Sequence, residues 1–224
     1  MRPFPVTRFA HPVEVVDNQP LGTHFVSLSL KSQWVSSPFW LPGQYLMFDG
    51  EDQGRVVRKC FTPIAAGKQG FTVLIRRTGG WMNNRLCESR QGTILRMSGA
   101  TGKQKLFSED NQPVSCVAFD SGISFAISLA KHPGSPPMQL FWSAADGLMN
   151  DLTVISERFE IPIIPFDQYE TILPGLSRQE NRQIFLSGDG RMIANLESLL
   201  LKHGIDRACI RHEIYYNHRD YLPH

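Results

Sequence analysis

The chain has 224 residues, of which 42% are hydrophobic and 20% charged, as in ordinary globular proteins with one large or two smaller domains. The formal net charge is +2, from 23 basic and 21 acidic residues, which gives no electrostatic basis for nucleic acid or an anionic membrane as the main partner. No segment is long and apolar enough for a signal peptide or a membrane span, so we expect a cytoplasmic protein without a membrane span.

Up to about residue 108, short segments of alternating polarity are separated by Gly, Pro, Asp and Ser. In GFTVLIRRT, for example, Phe71, Val73 and Ile75 fall on one face of a strand. Strands are predicted over 23–31, 43–50, 55–65, 70–78 and 92–99, and one helix over 81–89. Short strands at this spacing indicate an antiparallel barrel or sandwich.

After about residue 113, predicted strands alternate with predicted helices. Strands are predicted over 113–119, 138–144, 161–166, 183–190 and 208–216, and helices over 122–132, 148–159 and 191–204. This alternation predicts an α/β domain with a mostly parallel sheet. Pro162 and Pro165 place the 161–166 strand at an edge, because proline cannot donate to a central ladder. The EDNQP segment, residues 109–113, is the predicted boundary between the two domains.

The four cysteines, Cys60, Cys87, Cys116 and Cys209, are far apart and form no C-x-x-C motif. Neither a zinc site nor a cysteine-ligated iron–sulfur cluster is therefore supported. Because each cysteine has apolar neighbours in the sequence, we expect buried free thiols in a reducing compartment.

The segment KCFTP is the most informative one in the first half. It places a cation, an aromatic ring and a hydroxyl at Lys59, Phe61 and Thr62, on a strand that runs into a proline turn. A bound flavin needs a charge for its phosphates, a flat surface beside its ring system and a hydrogen-bond partner near its redox nitrogen. An amphipathic strand with a capping threonine would have the same residues, so both interpretations stay open at this point.

The segment RRTGGWMNN, residues 76–84, reads as a strand, a Gly-Gly turn and the first turn of a helix. The unpaired N–H groups of a helix N-terminus suit a pyrophosphate, and Arg76 and Arg77 add positive charge. Taken alone, the segment is better explained by an ordinary Gly-Gly turn with solvated arginines.

Together the two segments resemble the fingerprints of the ferredoxin-NADP reductase superfamily, Arg-x-Tyr-Ser/Thr and Gly-Gly-x-x-Ser/Thr. Residues 59–62 carry Lys for Arg and Phe for Tyr, and residues 79–83 end in Asn where the family has a hydroxyl. LPGQYLMF and GTILRMSGATGKQKL are also similar to the family's barrel segments. The resemblance implies an FAD-binding antiparallel Greek-key β-barrel over 1–108, followed by a pyridine-nucleotide-binding-like α/β domain over 113–224.

The same resemblance implies roles in the first domain. Lys59 would hold the FAD phosphates together with Gly79, Gly80, Trp81, Met82 and Asn83. Thr62 would hydrogen-bond the isoalloxazine ring, which Phe61 and Tyr215 would flank. Lysine keeps the charge of the family's arginine but loses its bidentate fork, and phenylalanine keeps the ring of the family's tyrosine without the hydroxyl.

In the second domain the resemblance is weaker. The family's Ala-Gly-Gly-Thr-Gly-Ile-Thr/Ser-Pro loop reads AFDSGISF here, at residues 118–125, and retains Gly122 and Ser124. The family's Cys-Gly-Pro-x-x-Met reads SGDGRM at 187–192. The resemblance implies that Ser187 takes the catalytic place of the cysteine near the nicotinamide and that Gly188 binds the cofactor. The ending Glu213-Ile214-Tyr215 is similar to the family's Glu-x-Phe/Tyr.

Two acidic residues stand where the family cradles a dinucleotide, Asp120 and Asp189. Like charges 4 Å apart repel by about 1 kcal/mol in water and about 4 kcal/mol at intermediate dielectric. Either carboxylate would weaken binding about tenfold or more, and we expect Phe119 to block close approach of the backbone. The segment SAADG at 143–147 has no arginine for a 2′-phosphate, so NADPH has less support than NADH.

Two functions follow from these patterns, and altered specificity for another reductant is a third possibility that fits the same residues. The chain could be an FAD-dependent oxidoreductase that passes electrons from a reduced nicotinamide to a one-electron acceptor, such as a ferredoxin-like or haem protein. Alternatively, it could be an FAD-binding electron-transfer or scaffold module that has lost nicotinamide binding and depends on a protein partner.

Overall fold

The computed structural model describes residues 11–32, 40–41, 43–67, 70–102, 112–143, 148–177 and 183–216. The chain divides into two compact units, Met1–Lys105 and Leu106–His224. Most of the predicted boundary segment and residues 144–147 of SAADG lie outside the described residues.

Within the described residues, the first unit forms seven strands and one short helix. They are β1 His11–Leu21, β2 Phe25–Lys31, β3 Leu46–Asp52, β4 Arg55–Phe61, β5 Pro63–Gly67, β6 Gly70–Arg76, α1 Trp81–Cys87 and β7 Ile94–Met97. The strands form one antiparallel sheet in the order β4-β3-β7-β1-β2-β6-β5. Strands β4 and β5 are the two edges of this sheet, yet only Thr62 separates them in the chain. The two edges must therefore come together at Thr62, so the sheet closes into the predicted barrel.

The inward faces of this barrel carry its core. Val26, Leu28 and Leu30 of β2 and Phe71, Val73 and Ile75 of β6 all belong to one buried cluster. The alternation predicted for β6 is confirmed. Strand β1 was not predicted, because Asp17, Asn18 and Pro20 read as turn residues and a register irregularity between Val15 and Asp17 interrupts its alternation.

Within the described residues, the second unit forms five strands and four helices. They are β8 Val114–Phe119, α2 Ile123–Ala130, β9 Met138–Ser143, α3 Met149–Phe159, β10 Ile163–Pro165, α4 Tyr169–Ser177, β11 Gln183–Asp189, α5 Gly190–Lys202 and β12 Ile210–Tyr216. All strand pairs are parallel, in the order β10-β9-β8-β11-β12. The predicted α/β class and the edge position of β10 are confirmed. The chain reverses its direction of winding between β8 and β11, and ligands of such sheets bind beyond the carboxyl ends of the strands at that point.

Helix α4 was not predicted, because Pro174 lies inside it and proline normally ends a helix. The apolar side of α4 is nevertheless buried, through Ile172, Leu173 and Leu176. Burial of that side outweighs the hydrogen bond that the proline removes.

All four cysteines are free thiols, of which Cys87 and Cys116 are buried. The expectation of burial is wrong for Cys60, which is exposed. Cys60 lies on the edge strand β4, opposite in direction to the buried Phe61, so its side chain leaves the core. None of the helices in the described part of the chain is long and apolar enough to cross a bilayer.

Candidate functional site

The predicted flavin-binding residues of β4 lie at the closing corner of the barrel. Lys59 and Phe61 pair with Phe48 and Leu46 of β3, so the two side chains point to the same side of the sheet as these buried residues. Thr62 follows at the junction itself and is 4% exposed. The structure thus brings the predicted cation, ring and hydroxyl to one corner of one unit.

Lys59 is the charged member of this set. It is half-buried, and burial lowers the pKa of its ammonium group from the ordinary value. A partly desolvated cation interacts more strongly with an anion than a fully hydrated one does. Lys59 is therefore suited to a phosphate that reaches this corner.

Phe61 is less accessible than the sequence suggested. Its side chain is 8% exposed and packs edge-on against Phe48, with ring centroids 5.6 Å apart. Most of the Phe61 ring thus belongs to the barrel core. Stacking of this ring on a flavin stays a prediction.

The Gly-Gly turn before α1 is open. Gly79 has φ +73°, which favours glycine, and an added Cβ there would meet no atom of the described residues within 4 Å. At Gly80 the nearest atom to such a Cβ is Thr78 Oγ1, at 3.7 Å. Gly80 begins α1 without a side-chain cap, and α1 contacts β4. A ligand can therefore approach this backbone closely.

The side chains that follow the turn point inward. Met82 is buried in the barrel core, and Asn83 donates its amide to the carbonyl of Arg76, while Asn83 Oδ1 is buried with no hydrogen-bond partner among the described residues. Trp81 is half-buried, and the Arg85 guanidinium lies 5.3 Å from its ring centroid. Any phosphate contact of Asn83 would accordingly come from its backbone N–H. The roles of Trp81, Met82 and Asn83 in FAD binding stay predictions.

The donor set of the barrel unit fits FAD. It combines the half-buried ammonium of Lys59, the hydroxyl of Thr62 and the unobstructed backbone of Gly79 and Gly80. Cations and open glycine backbone are what a diphosphate requires, and a hydroxyl is what a flavin nitrogen or oxygen requires.

In the second unit, the predicted residues lie at the point where the winding reverses. Ser187 is fully buried and donates its hydroxyl to the carbonyl of Gly122 at 2.9 Å. A Cβ on Gly122 would overlap the backbone of Ser187 and Gly188, and one on Gly188 would overlap the Phe119 carbonyl. Both glycines are thus required for close packing of the β8 and β11 ends. The Ser187 hydroxyl is engaged inside the unit, so its catalytic role stays a prediction.

Asp120 occupies a left-handed conformation, with φ +50°, directly after β8. Aspartate tolerates this region better than most residues, so the turn keeps a shape that normally needs glycine. The indole N–H of buried Trp142 donates to the Asp120 carbonyl at 2.9 Å and fixes the turn. Sequence reasoning missed Trp142; its position next to Ala118 in the parallel register is visible only in the sheet.

The expectation that Phe119 blocks this turn is wrong. Its side chain is fully buried and packs edge-on against Phe166 and Tyr169, with centroids 6.0 and 6.2 Å away. As the last residue of β8, Phe119 points into the core, whereas the turn begins one residue later.

Asp189 is the N-cap of α5. Its Oδ1 accepts hydrogen bonds from the backbone N–H groups of Arg191 at 2.9 Å and Met192 at 3.1 Å. The pKa of the half-buried Tyr169 hydroxyl is raised by burial first and by the Asp189 charge second. The anion at the start of α5 is thus the protein's own.

Two further predicted residues flank this region. Ser124 is buried in the first turn of α2. Tyr215 is half-buried on β12, at a register irregularity where Gly188 pairs with Ile214 and Asp189 with Tyr216. The roles of Ser124 and Tyr215 toward a cofactor stay predictions.

The residues at this point do not fit a dinucleotide as well as the barrel fits FAD. Carboxylates follow or end both central strands, Asp120 after β8 and Asp189 at the end of β11. In addition, the N–H groups of Arg191 and Met192, which have no partner within helix α5, are already bonded to the Asp189 side chain. No glycine-lined phosphate cradle is left open at these two strand ends.

Comparison with known proteins gives the family context. No protein-family model matches the chain, and no curated protein matches its sequence. The flavohemoglobin of Malassezia yamatoensis, solved with bound FAD and haem, is similar at a TM-score of 0.75 and 16% identity, over 92% of this chain and 60% of that one.

The flavohem-like FAD/NAD binding domain of nitric oxide dioxygenase from Vibrio cholerae O1 biovar El Tor is similar at a TM-score of 0.73 and 13% identity, over 93% of this chain and 99% of that one. Phthalate dioxygenase reductase is described as a modular structure for electron transfer from pyridine nucleotides to [2Fe-2S]. It is similar at a TM-score of 0.69 and 12% identity, over 92% of this chain and 68% of that one. At these identities the likeness concerns the fold. The chain therefore shares the fold of these proteins, an antiparallel barrel unit followed by a parallel α/β unit.

Proposed function

We propose that this chain is a flavin-dependent oxidoreductase that relays electrons to a one-electron acceptor through FAD held by its barrel unit. The observation that carries the proposal is the position of half-buried Lys59 on β4, in the strand that runs directly into Thr62 at the closing corner of the barrel. The open backbone of Gly79 and Gly80 belongs to the same unit. Bound FAD would supply the exchange of electrons in one- and two-electron steps.

The chain's own residues have distinct parts in this proposal. Lys59 binds the diphosphate, and its partial burial strengthens that attraction. The glycine turn admits the diphosphate to backbone N–H groups that a side chain would otherwise shield. Thr62 hydrogen-bonds the ring system, orienting it at the corner.

The acceptor in this proposal is a separate protein of the ferredoxin-like or haem class. In the part of the chain that the structure describes, no three or more His, Cys, Asp or Glu side chains are grouped so that they could hold a metal ion, and the cysteines form no C-x-x-C motif. Structural neighbours support this class, because one contains haem beside its FAD and another is described as passing electrons to [2Fe-2S].

Two reductants are candidates. The first is a reduced nicotinamide, which the fold of the α/β unit supports; NADH comes before NADPH because SAADG at 143–147 has no arginine for a 2′-phosphate. A protein partner that supplies electrons is the second, and the carboxylates of Asp120 and Asp189 at the central strand ends favour it.

The first experiment is FAD loading of the purified protein, measured by the visible absorbance that survives gel filtration and by titration calorimetry. Lys59→Met should weaken FAD binding by roughly ten- to a hundredfold, because a charge-assisted hydrogen bond contributes about 1.5–3 kcal/mol, and Lys59→Arg should retain it. Lys31→Met, the same change at an exposed lysine of the same unit, is the control. Wild-type protein that binds no FAD would sink the proposal.

The second experiment separates the reductants. The FAD-loaded protein is titrated without oxygen, first with NADH and then with dithionite, while the flavin absorbance is followed. Rapid loss of the flavin absorbance on addition of NADH would identify a reduced nicotinamide as the reductant. A flavin that ignores NADH and NADPH but bleaches with dithionite selects the protein partner.

A further inference from the structure

The start of α5 has the features of an anion site that is already filled. Helix N-termini carry unpaired N–H groups and a partial positive charge, which together attract anions. In this chain the Asp189 carboxylate takes two of these N–H groups, at 2.9 and 3.1 Å. The Asp189 carboxylate thus pairs with two of the N–H groups and neutralises the partial positive charge, with no external anion.

The Asp189 carboxylate lies at the position in the sheet where a ligand would be expected to bind. Asp189 ends β11, next to the end of β8 and therefore at the point where ligands of such sheets bind. Gly188, just before it, has φ +122° and lies against the Phe119 carbonyl. Because a larger residue at 188 would overlap that carbonyl, the backbone that presents Asp189 is fixed by packing.

A second carboxylate reinforces the first. Asp120 follows β8, and its backbone is held by the Trp142 indole. A diphosphate placed across the two strand ends would meet two negative charges. It would also lose the N–H groups of Arg191 and Met192, which are already bonded.

We infer that Asp189 is a specificity-determining residue that excludes phosphate-bearing ligands from the start of α5. The reductant of this chain is accordingly not a dinucleotide bound there. This inference rests on the proposed function, because it limits which of the two candidate reductants can supply electrons to the flavin. Its test needs no flavin, so a failure of FAD binding and a failure of this inference are seen in separate experiments.

The test is calorimetric titration of the flavin-free protein with inorganic pyrophosphate and with NADH. Asp189→Gly frees the N–H groups, and glycine is a tolerated N-cap. Asp189→Asn keeps an oxygen that can cap α5 but removes the charge. Asp206→Gly is the matched control, because Asp206 caps another turn of this unit through Ala208 N–H at 2.8 Å.

We expect wild type and Asp206→Gly to bind both probes weakly and equally. Asp189→Gly should bind at least tenfold more tightly, which corresponds to about 1.4 kcal/mol, and Asp189→Asn should lie between. Thermal unfolding checks that each variant is folded, and Asp189→Asn carries the test if Asp189→Gly is not. Tight binding by wild type, or no gain in any folded Asp189 variant, would overturn the inference.

Discussion

Gly122→Ala tests the close packing that positions the two central strand ends. The backbone at Gly122 has φ −58° and ψ −18°, which any residue adopts. On backbone grounds alone the change would stabilise the protein by about 0.4–1 kcal/mol, because alanine restricts the unfolded chain. The added Cβ, however, would overlap the Ser187 carbonyl and lie 2.7 Å from Gly188 N.

These contacts involve backbone in hydrogen-bonded strands, which cannot yield as a flexible side chain can. Overpacking costs about 1–3 kcal/mol, and loss of the bond from Ser187 to the Gly122 carbonyl adds about 1 kcal/mol. After the gain of about 0.4–1 kcal/mol from the restricted unfolded chain is subtracted, we expect Gly122→Ala to lower the free energy of unfolding by about 1–3.5 kcal/mol. The two strand ends that carry Asp120 and Asp189 would also separate.

The assay is urea unfolding followed by the fluorescence of buried Trp142, the tryptophan of this unit. Gly175→Ala is the control, since its Cβ would meet Phe141 Cζ at an ordinary 3.6 Å and alanine favours the α4 helix. We expect that variant to be neutral or slightly more stable. A Gly122→Ala protein as stable as wild type would refute the reasoning.

Other predictions concern single side chains. Asp120→Gly should be more stable than Asp120→Ala by about 1–2 kcal/mol in urea unfolding, since both lose the carboxylate and only alanine bears the cost of the left-handed φ; equal stabilities would contradict this. Burial raises the pKa of the Cys116 thiol to about 12, from 9.0. Because the unfolded thiol ionises first, the Cys116 contribution to stability is complete below pH 9.0 and is lost as pH rises toward 12; Cys116→Ala should remove that loss in pH-dependent unfolding. A thiol reagent should label exposed Cys60 in the native protein and Cys116 only after unfolding, as peptide mapping would show; native labelling of Cys116 would contradict its burial.

Local pattern explains which parts of the fold could be predicted. Alternating apolar residues such as Phe71, Val73 and Ile75 mark a strand regardless of its neighbours, and the strand–helix alternation after residue 113 marks a parallel sheet. Helix α4 escaped prediction, because the local effect of Pro174 is reversed by burial against elements distant in sequence. Strand β1 was not predicted because its second half has polar residues and a proline in place of an alternating pattern. Pairing with β2 holds that half in the sheet.

The candidate site shows the same division. Residue types can be read directly from the sequence. It therefore indicated a cation and a hydroxyl in the first half, at Lys59 and Thr62, and unexpected carboxylates in the second, at Asp120 and Asp189. The direction of each side chain is not local. Phe119 was expected in the turn and points into the core, because a strand's side chains alternate and the position of the last one depends on the pairing of β8.

The sequence by itself determined two units, their fold classes and an acidic character at two strand ends, since these depend on periodicity and residue type. Only the tertiary structure decided that Asp189 caps its own helix, and that Trp142 holds the Asp120 carbonyl. It also decided that Gly122 and Gly188 serve close backbone packing. Hydrogen bonds and steric contacts join atoms whose separation depends on how the whole sheet is assembled, so no local pattern of residues could have fixed them.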